Sequence, residues 1–172
     1  MVMICARHTI FFSNPKVSST ALLEPHYQKT AERAASLNFK YALAIQDDTV
    51  LNFTSHKAKT DIGRVGTKVG NTEQYGLIQH STLLVTDQNE PLGLIDLHHF
   101  HNDEFDTSIP KHLRALEDKR SGYWVAALNK TRTRLKNLDK KIITVTDREG
   151  DFFEFLHELN SHNDLFVIRA IT

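Results

Sequence analysis

Two aspartates in this sequence each follow a run of apolar and β-branched residues, which is typical of a carboxylate at the end of a buried strand. Asp147 follows residues 141–146, and Asp47 follows residues 41–46. In open α/β sheets the carboxyl ends of parallel strands meet at one edge, where binding sites usually lie. Two carboxylates that meet there repel each other unless a cation lies between them. Mg²⁺ takes oxygen ligands and is the usual cation in phosphoryl transfer, so we expect this pair to suit such chemistry.

Other interpretations of these acids stay open at this point. Asp147 could be a surface acid that only caps the next helix, and Asp47 could be a turn residue. Asp48 competes with Asp47 as the ligand, because neighbours in a strand point to opposite faces and the sequence does not fix which face is which. Asp151 with Glu154 fits a helix N-cap and its partner at the third helical position, so we interpret Asp151 as structural.

Two further motifs suggest ligand binding less strongly. The segment 98–101, His-His-Phe-His, has no cysteine nearby, and a structural zinc site normally takes four nitrogen or sulfur ligands, so we predict a loop of exposed histidines. The segment 63–70 is glycine-rich but lacks the Gly-Lys-Ser/Thr ending of a phosphate loop, which argues against a nucleotide site. It lies in a polar, glycine-rich stretch, 54–75, and loops of this length are usually functional or mobile.

The composition is that of an ordinary soluble domain. The chain has 172 residues, a formal net charge of zero and a single cysteine, Cys5. We therefore expect one domain, no disulfide framework and a reducing compartment. The first residues are too short for a signal peptide and no segment reaches transmembrane length, so we expect a cytoplasmic protein with no membrane partner.

The charge is unevenly distributed along the chain. Residues 111–141 hold ten lysines and arginines against three acids. A basic face beside an acidic site suits an enzyme that acts on a polyanion, although a solvated helix face would give the same pattern.

Hydrophobic periodicity places these residues on a succession of helices and strands. We expect the residues after the long helix to return as a strand parallel to an earlier one. If that strand lies beside the first, Asp47 and Asp147 meet at one edge. The predicted helices are 16–38, 111–138 and 151–160; Ser18 or Ser19 caps the first, a second helix starts within it at Pro25, and Gly122 weakens the middle of 111–138. The predicted strands are 41–47 extending through 49–53, 77–86, 91–97, 141–146 and 165–170. Polar loops are predicted at 54–75 and 98–110.

Several segments together resemble the cut-and-paste transposases of bacterial insertion sequences, of the insertion-sequence-four type that includes the transposon-five transposase. Thr146-Asp147-Arg148-Glu149-Gly150-Asp151 resembles the family's Asp-Arg-Glu-Ala-Asp box, and Leu43-Ala44-Ile45-Gln46-Asp47-Asp48-Thr49 resembles the segment with its first catalytic aspartate. The match covers most of residues 10–170 in the family's order. Its other segments are 14–18 (the approach to the core), 76–83 and 91–94 (the hairpin) and 117–124 (the Glu-Lys-Glu-Ser…Trp helix start).

The resemblance implies a ribonuclease-H-like α/β fold with a mixed five-stranded sheet of order 3-2-1-4-5. It also implies DNA transposition by an Asp-Asp-Glu triad holding two Mg²⁺, with transposon ends and target DNA as partners and the nucleoid as the site of action. Asp47 and Asp147 match the two catalytic, metal-binding aspartates. Arg148 and Arg169 match basic positions near the site, and with Lys119 and Arg120 they are the DNA-binding residues that the resemblance suggests.

The departures from the family pattern are as informative as the match. The family's catalytic glutamate lies beyond its fifth strand, and the sequence ends directly after the fifth strand predicted here. We therefore expect a core truncated at both ends, with a helical remnant at 1–39 and a ribonuclease-H-like fragment at 40–172. Gly150 replaces the usual alanine, and Arg120 replaces a usual acid.

Three functions follow from this pattern. The first is an incomplete transposase core, inactive alone and with weak or no Mg²⁺ binding. The second is a non-catalytic module that binds DNA or inhibits a full-length transposase by pairing with it. The third is an intact nuclease in which Glu149 or Asp151 replaces the missing glutamate. A truncated core would also leave Leu165 and Val167 exposed.

Overall fold

The structure, a computed structural model, describes residues 11, 14–56, 58–66, 68–105 and 108–170. Cys5 lies outside this part of the chain. Three α-helices and six strands occur in it, joined by short 3-10 turns. The helices are α1 (Ser19–Ser36), α2 (Gly122–Arg134) and α3 (Phe153–Ser161), and the strands are β1 (Tyr41–Asn52), β2 (Gly63–Arg64), β3 (Tyr75–Thr86), β4 (Pro91–Phe100), β5 (Lys141–Thr146) and β6 (Leu165–Ile168).

The strands form one mixed, open sheet. The five longer strands pair in the order β4-β3-β1-β5-β6, and the two-residue β2 pairs with the start of β3. β1 is antiparallel to β3 and parallel to β5, and β5 is parallel to β6. The prediction that the strand 141–146 returns parallel to an earlier strand is confirmed, and that earlier strand is β1. The mixed α/β class is confirmed as well.

The described helices pack on one side of this sheet, which we call the helix face. In β1 this face presents Ala42, Ala44, Gln46 and Asp48. Ala42 and Ala44 join a core cluster with Ala34 of α1, while α2 and α3 contribute a second cluster around Trp124, Phe155 and Leu159. No described helix is long and apolar enough to cross a membrane.

The opposite side, which we call the open face, presents the alternate residues of each strand. In β1 these are Leu43, Ile45 and Asp47, and none belongs to a buried core cluster of the described residues. The expected exposure of β6 is confirmed, since Leu165 and Val167 are 45% and 61% exposed. β6 is also an edge strand of the sheet.

The first helix is continuous, so the prediction that a second helix starts at Pro25 is wrong. Ser18 caps the helix by accepting a hydrogen bond from the Ala21 amide at 3.1 Å. Pro25 lies inside the helix and removes one backbone donor. Burial of Tyr27, Thr30 and Ala34 against the sheet outweighs that loss and keeps the helix intact.

The long helix predicted from 111 to 138 is also wrong in its first third. A 3-10 turn occupies Lys111–Leu113, and α2 begins only at Gly122. The chain folds back at this point so closely that a Cβ atom on Gly122 would lie 2.3 Å from the Leu116 carbonyl oxygen. A glycine is therefore needed where the turn enters the helix.

The segment 98–101 is not a loop of exposed histidines. β4 continues through His98 and His99 to Phe100, and Phe100 is fully buried. His98 is half-buried against Tyr123, with ring centroids 4.5 Å apart, and burial lowers its pKa. His98 therefore serves packing on β4, whereas His99 is exposed and lies 3.1 Å from Gln79 Oε1.

Candidate functional site

Asp47 and Asp147 lie side by side at the edge where β5 ends. Gln46 of β1 pairs with Thr146 of β5 in parallel register, and Asp47 and Asp147 are the next residue on each strand. The backbone of Asp147 is still extended, with φ −78° and ψ −167°, so the alternation of side chains carries both aspartates to the open face. Adjacent strands are about 4.8 Å apart, which is close enough for two carboxylates to share a cation. Both residues are exposed.

Asp147 is a cap and still has an oxygen free. Its Oδ1 accepts a hydrogen bond from the Glu149 amide at 2.8 Å, which caps the 3-10 turn Arg148–Gly150. Within the described part of the chain, its second carboxylate oxygen has no hydrogen-bond partner. The capping bond fixes the orientation of the carboxylate, so the two interpretations of Asp147 are compatible.

The two neighbouring acids of β1 have opposite environments. Among the described residues, no hydrogen bond or ion pair reaches the Asp47 carboxylate. The Asp48 side chain is only 4% exposed and lies on the helix face. There it accepts from Arg120 Nη2 at 2.7 Å and meets His80 Nδ1 at 2.6 Å. Asp47, with its free carboxylate, is therefore the better candidate ligand.

The contacts of Asp48 belong to a polar network beneath the site. His80 is fully buried, lies 3.2 Å from Gln46 Oε1 through its Nε2, and packs against the ring of Trp124. Arg120 reaches beyond Asp48 to Glu149 at 2.9 Å. Because Asp48 follows Asp47 and Glu149 lies two residues after Asp147, Arg120 links the two segments that carry the candidate ligands.

Electrostatics keep Asp48 ionised in this network. Burial would raise the pKa of Asp48, but the hydrogen bonds and positive charges of His80 and Arg120 outweigh it, and the pKa is lowered. A buried carboxylate without such partners would be costly. Asp48 therefore serves as the anion that holds Arg120 in place.

One pattern in the sequence indicates this network. Gln46 and Asp48 alternate in β1 and His80 and Thr82 alternate in β3, so polar residues occupy consecutive positions of one face. Polar residues at buried, paired positions normally satisfy one another. The partner Arg120, 72 residues from Asp48, could not be found in this way.

The other two acids have structural positions. Glu149 is engaged by Arg120. Asp151 is not the N-cap of the next helix: α3 begins at Phe153, its N-cap is Phe152, and no side chain caps it. Asp151 instead ends the 3-10 turn, where its amide donates to the Arg148 carbonyl at 3.2 Å. Among the described residues, no group of three or more His, Cys, Asp or Glu side chains is placed to hold a metal.

The predicted DNA-binding residues fall into two groups. Arg148 and Arg169 are exposed beside the carboxylate pair, and neither side chain forms an ion pair with a described residue. Lys119 lies 3.4 Å from Glu154, and Arg120 is paired with Asp48 and Glu149. Only the first pair of arginines is free to meet phosphate.

Ion pairs also neutralise much of the basic segment 111–141. Arg132 pairs with Glu158 at 2.6 Å and with Asp164, and Arg134 pairs with Asp96 at 2.7 Å. Five of the ten basic residues in this segment form such contacts, namely Lys119, Arg120, Lys130, Arg132 and Arg134. Acids elsewhere in the fold therefore compensate half of the basic residues that the sequence places in this segment.

The donor chemistry of the carboxylate pair fits Mg²⁺. This ion takes oxygen ligands and is commonly held by one or two carboxylates, with water and substrate phosphates completing its shell. Asp47 and the free oxygen of Asp147 would supply the protein's share. No protein-family model matches the chain.

Proposed function

We propose that this chain is part of the catalytic core of a DNA transposase, with Asp47 and Asp147 as its first two metal-binding carboxylates. The observation that carries the proposal is the placement of two exposed, adjacent carboxylates on one face of parallel strands. The strand pairing supports it. With the short β2 left aside, the order β4-β3-β1-β5-β6 agrees with the order 3-2-1-4-5 that the resemblance implies.

Each residue of the site has a distinct task in this proposal. Asp47 and Asp147 would hold Mg²⁺ on the open face, and the ion would supply a Lewis acid and an activated water for phosphodiester cleavage. The capping bond from the Glu149 amide orients Asp147. Arg148 and Arg169, exposed at the same edge, would contact the DNA phosphates and fix the backbone.

The 172-residue chain alone would not complete the reaction. Two carboxylates leave the metal site short of the triad that the family resemblance implies, and the described acids supply no third ligand. Loss of one metal ligand weakens both metal affinity and the in-line geometry that phosphoryl transfer requires. We expect weak Mg²⁺ binding and no strand transfer.

The test is a cleavage assay with the purified chain, a transposon-end duplex and Mg²⁺. We expect no cleavage by the wild type. Cleavage that depends on Mg²⁺ and is abolished by Asp147→Ala would show that the chain is a complete nuclease. Calorimetric titration with Mg²⁺ tests the metal site itself. Weak Mg²⁺ binding that Asp47→Asn removes supports the incomplete site.

The exposed edge strand favours a second candidate function. Leu165, Phe166 and Val167 are 45%, 42% and 61% exposed, and no other described strand pairs with the outer backbone groups of β6. Such an edge can accept a strand from another chain. The chain would then pair with a full-length transposase and inhibit it. Inhibition of transposition by the wild-type chain but not by Val167→Lys would support this role, and equal inhibition by both would argue against it.

A further inference from the structure

A hollow of about 680 Å³ lies at the far end of β1, well away from the carboxylate pair. We call it the aromatic hollow. Phe53, His56, Lys59, Ile62 and Tyr75 are among the residues that line it. Its volume is within the usual range of sites for small ligands, which is about 300–1,000 Å³.

Backbone hydrogen bonds build the walls of the aromatic hollow. The Phe53 amide donates to the Tyr75 carbonyl at 2.8 Å, which extends the β1–β3 ladder past the end of β1. The Tyr75 amide donates to Thr54 Oγ1 at 2.9 Å, and the His56 amide donates to the Phe53 carbonyl at 2.8 Å. These bonds order the backbone that carries Phe53, His56 and Tyr75.

The rings of the hollow are exposed and lie near a cation. Tyr75 is 42% exposed and His56 is also exposed. His56 meets the Phe53 ring edge-on, with centroids 6.1 Å apart and planes at 83°. Lys59 Nζ lies 4.1 Å from the Phe53 centroid, and no acid among the described residues pairs with it. Of the cations that the structure describes in residues 58–75, Arg64 pairs with Asp103 and Lys68 pairs with Glu73, which leaves Lys59 as the cation beside the rings.

The hollow and the carboxylate pair belong to one face of the sheet. Asp47, Thr49 and Leu51 alternate along the open face of β1, opposite Ser81, Gln79 and Leu77 of β3. Tyr75 follows Leu77 in the same alternation. Phe53 is six residue steps along the strand from Asp47, which is about 20 Å, or about six base steps of B-form DNA.

We propose that the aromatic hollow binds an unpaired nucleobase of DNA, stacked on Tyr75 and His56, with Lys59 on the adjacent phosphate. The proposal rests on the function proposed above, since it makes the hollow a second contact for the same DNA about six nucleotides from the scissile phosphate. Aromatic rings accept any base through its π-face, and a nearby cation adds phosphate attraction. Exposed rings beside an unpaired lysine have the composition of such a site.

The test is fluorescence anisotropy with a labelled twelve-nucleotide thymine oligonucleotide, in EDTA so that no metal contributes. We expect Tyr75→Ala and His56→Ala each to weaken binding at least about fivefold, whereas Tyr75→Phe stays within about twofold. Phe153→Ala is the matched control, because Phe153 is 76% exposed on α3, outside the hollow, and should leave binding unchanged. A thermal melt of each variant confirms that it is folded.

The outcomes separate this proposal from the proposed function. Equal binding by the wild type, Tyr75→Ala and His56→Ala, or tighter binding of fully paired duplex than of the single strand, overturns the aromatic hollow as a nucleobase site. Neither result bears on Mg²⁺ binding. Conversely, unchanged Mg²⁺ affinity in Asp47→Asn and Asp147→Asn overturns the metal site, while a fivefold loss in Tyr75→Ala still supports the hollow.

Discussion

Arg120 donates two hydrogen bonds to the nearly buried carboxylate of Asp48, at 2.7 and 3.1 Å. This ion pair lies on the helix face, on the other side of the sheet from Asp47. The ion pair holds the segment of β1 that carries Asp47. Through Glu149, Arg120 also holds the 3-10 turn that follows Asp147. The network and the candidate site are thus separable by mutation, although Asp47 and Asp48 are neighbours in sequence.

Asp48→Asn should lower the stability of the fold, whereas Asp47→Asn should leave it nearly unchanged. Asp48→Asn removes the charge from two hydrogen-bonded contacts, and bonds to charged groups contribute about 1.5–3 kcal/mol each, so we expect a loss of about 2 kcal/mol in the free energy of unfolding. Asp47→Asn changes an exposed residue and should stay within about 0.5 kcal/mol. Urea denaturation measures both. Equal destabilisation by the two variants would contradict the assignment of faces.

The stabilisation that Asp48 provides should disappear in acid. The pKa of Asp48 is lowered from its ordinary value of 3.8, so the folded state binds this proton less readily than the unfolded state does. The contribution is therefore fully present above pH 3.8 and is lost as the pH falls through the lower folded-state pKa. We expect the difference in unfolding free energy between the wild type and Asp48→Asn to be constant from about pH 7 to 5 and to shrink below about pH 4. A difference that grows in acid would contradict the network.

Arg120→Gln should destabilise the fold, whereas Arg148→Gln should not. Removal of the guanidinium leaves the Asp48 carboxylate with His80 as its remaining hydrogen-bond partner among the described residues. We expect a cost of about 1–3 kcal/mol, below the full value for a buried pair because Arg120 is partly exposed. Arg148 is exposed without an ion pair among the described residues, so its variant is the matched control. Chemical denaturation of both variants tests the difference, and equal loss would argue against the network.

Ion pairing also divides the basic residues by their expected effect on DNA binding. Arg148→Ala and Arg169→Ala should each lower affinity for duplex DNA and reduce the slope of log affinity against log salt by about one. Arg132→Ala should leave the slope unchanged and lower stability instead, because Arg132 is engaged with Glu158 and Asp164. A mobility-shift titration at several salt concentrations measures the slopes. A reduced slope in Arg132→Ala would restore the segment 111–141 as a DNA-binding surface.

Local patterns predict the five longer strands and the parallel return of 141–146, whereas the meeting of Asp47 with Asp147 depends on which strand that return lies beside. The strand 141–146 was predicted with its observed bounds, because its β-branched residues end at an acid. The start of α2 was missed because apolar residues such as Leu113 and Leu116 continue a helical period through a segment that turns. That error arises from tertiary packing around Gly122, which periodicity does not record.

The burial and the contacts of Asp48 could not be predicted from the sequence, for a different reason. Because side chains alternate along a strand, Asp47 and Asp48 lie on opposite faces of the sheet. Which of the two lies on the buried face depends on which face the helices cover. That choice is set by contacts with Arg120 and Trp124, far away in sequence. Similarly, the basic excess of 111–141 could be counted, but its neutralisation by Asp96, Glu158 and Asp164 required the fold.

The most direct test of the central claim is paramagnetic broadening of backbone amide signals by Mn²⁺, used in place of Mg²⁺ and recorded by NMR. The metal site proposed here predicts that substoichiometric Mn²⁺ broadens residues around Asp47 and Asp147 first, that excess Mg²⁺ reverses the broadening, and that Asp47→Asn and Asp147→Asn each abolish it. Broadening centred elsewhere, or undiminished in both variants, would contradict the assignment of these two aspartates as the metal-binding pair.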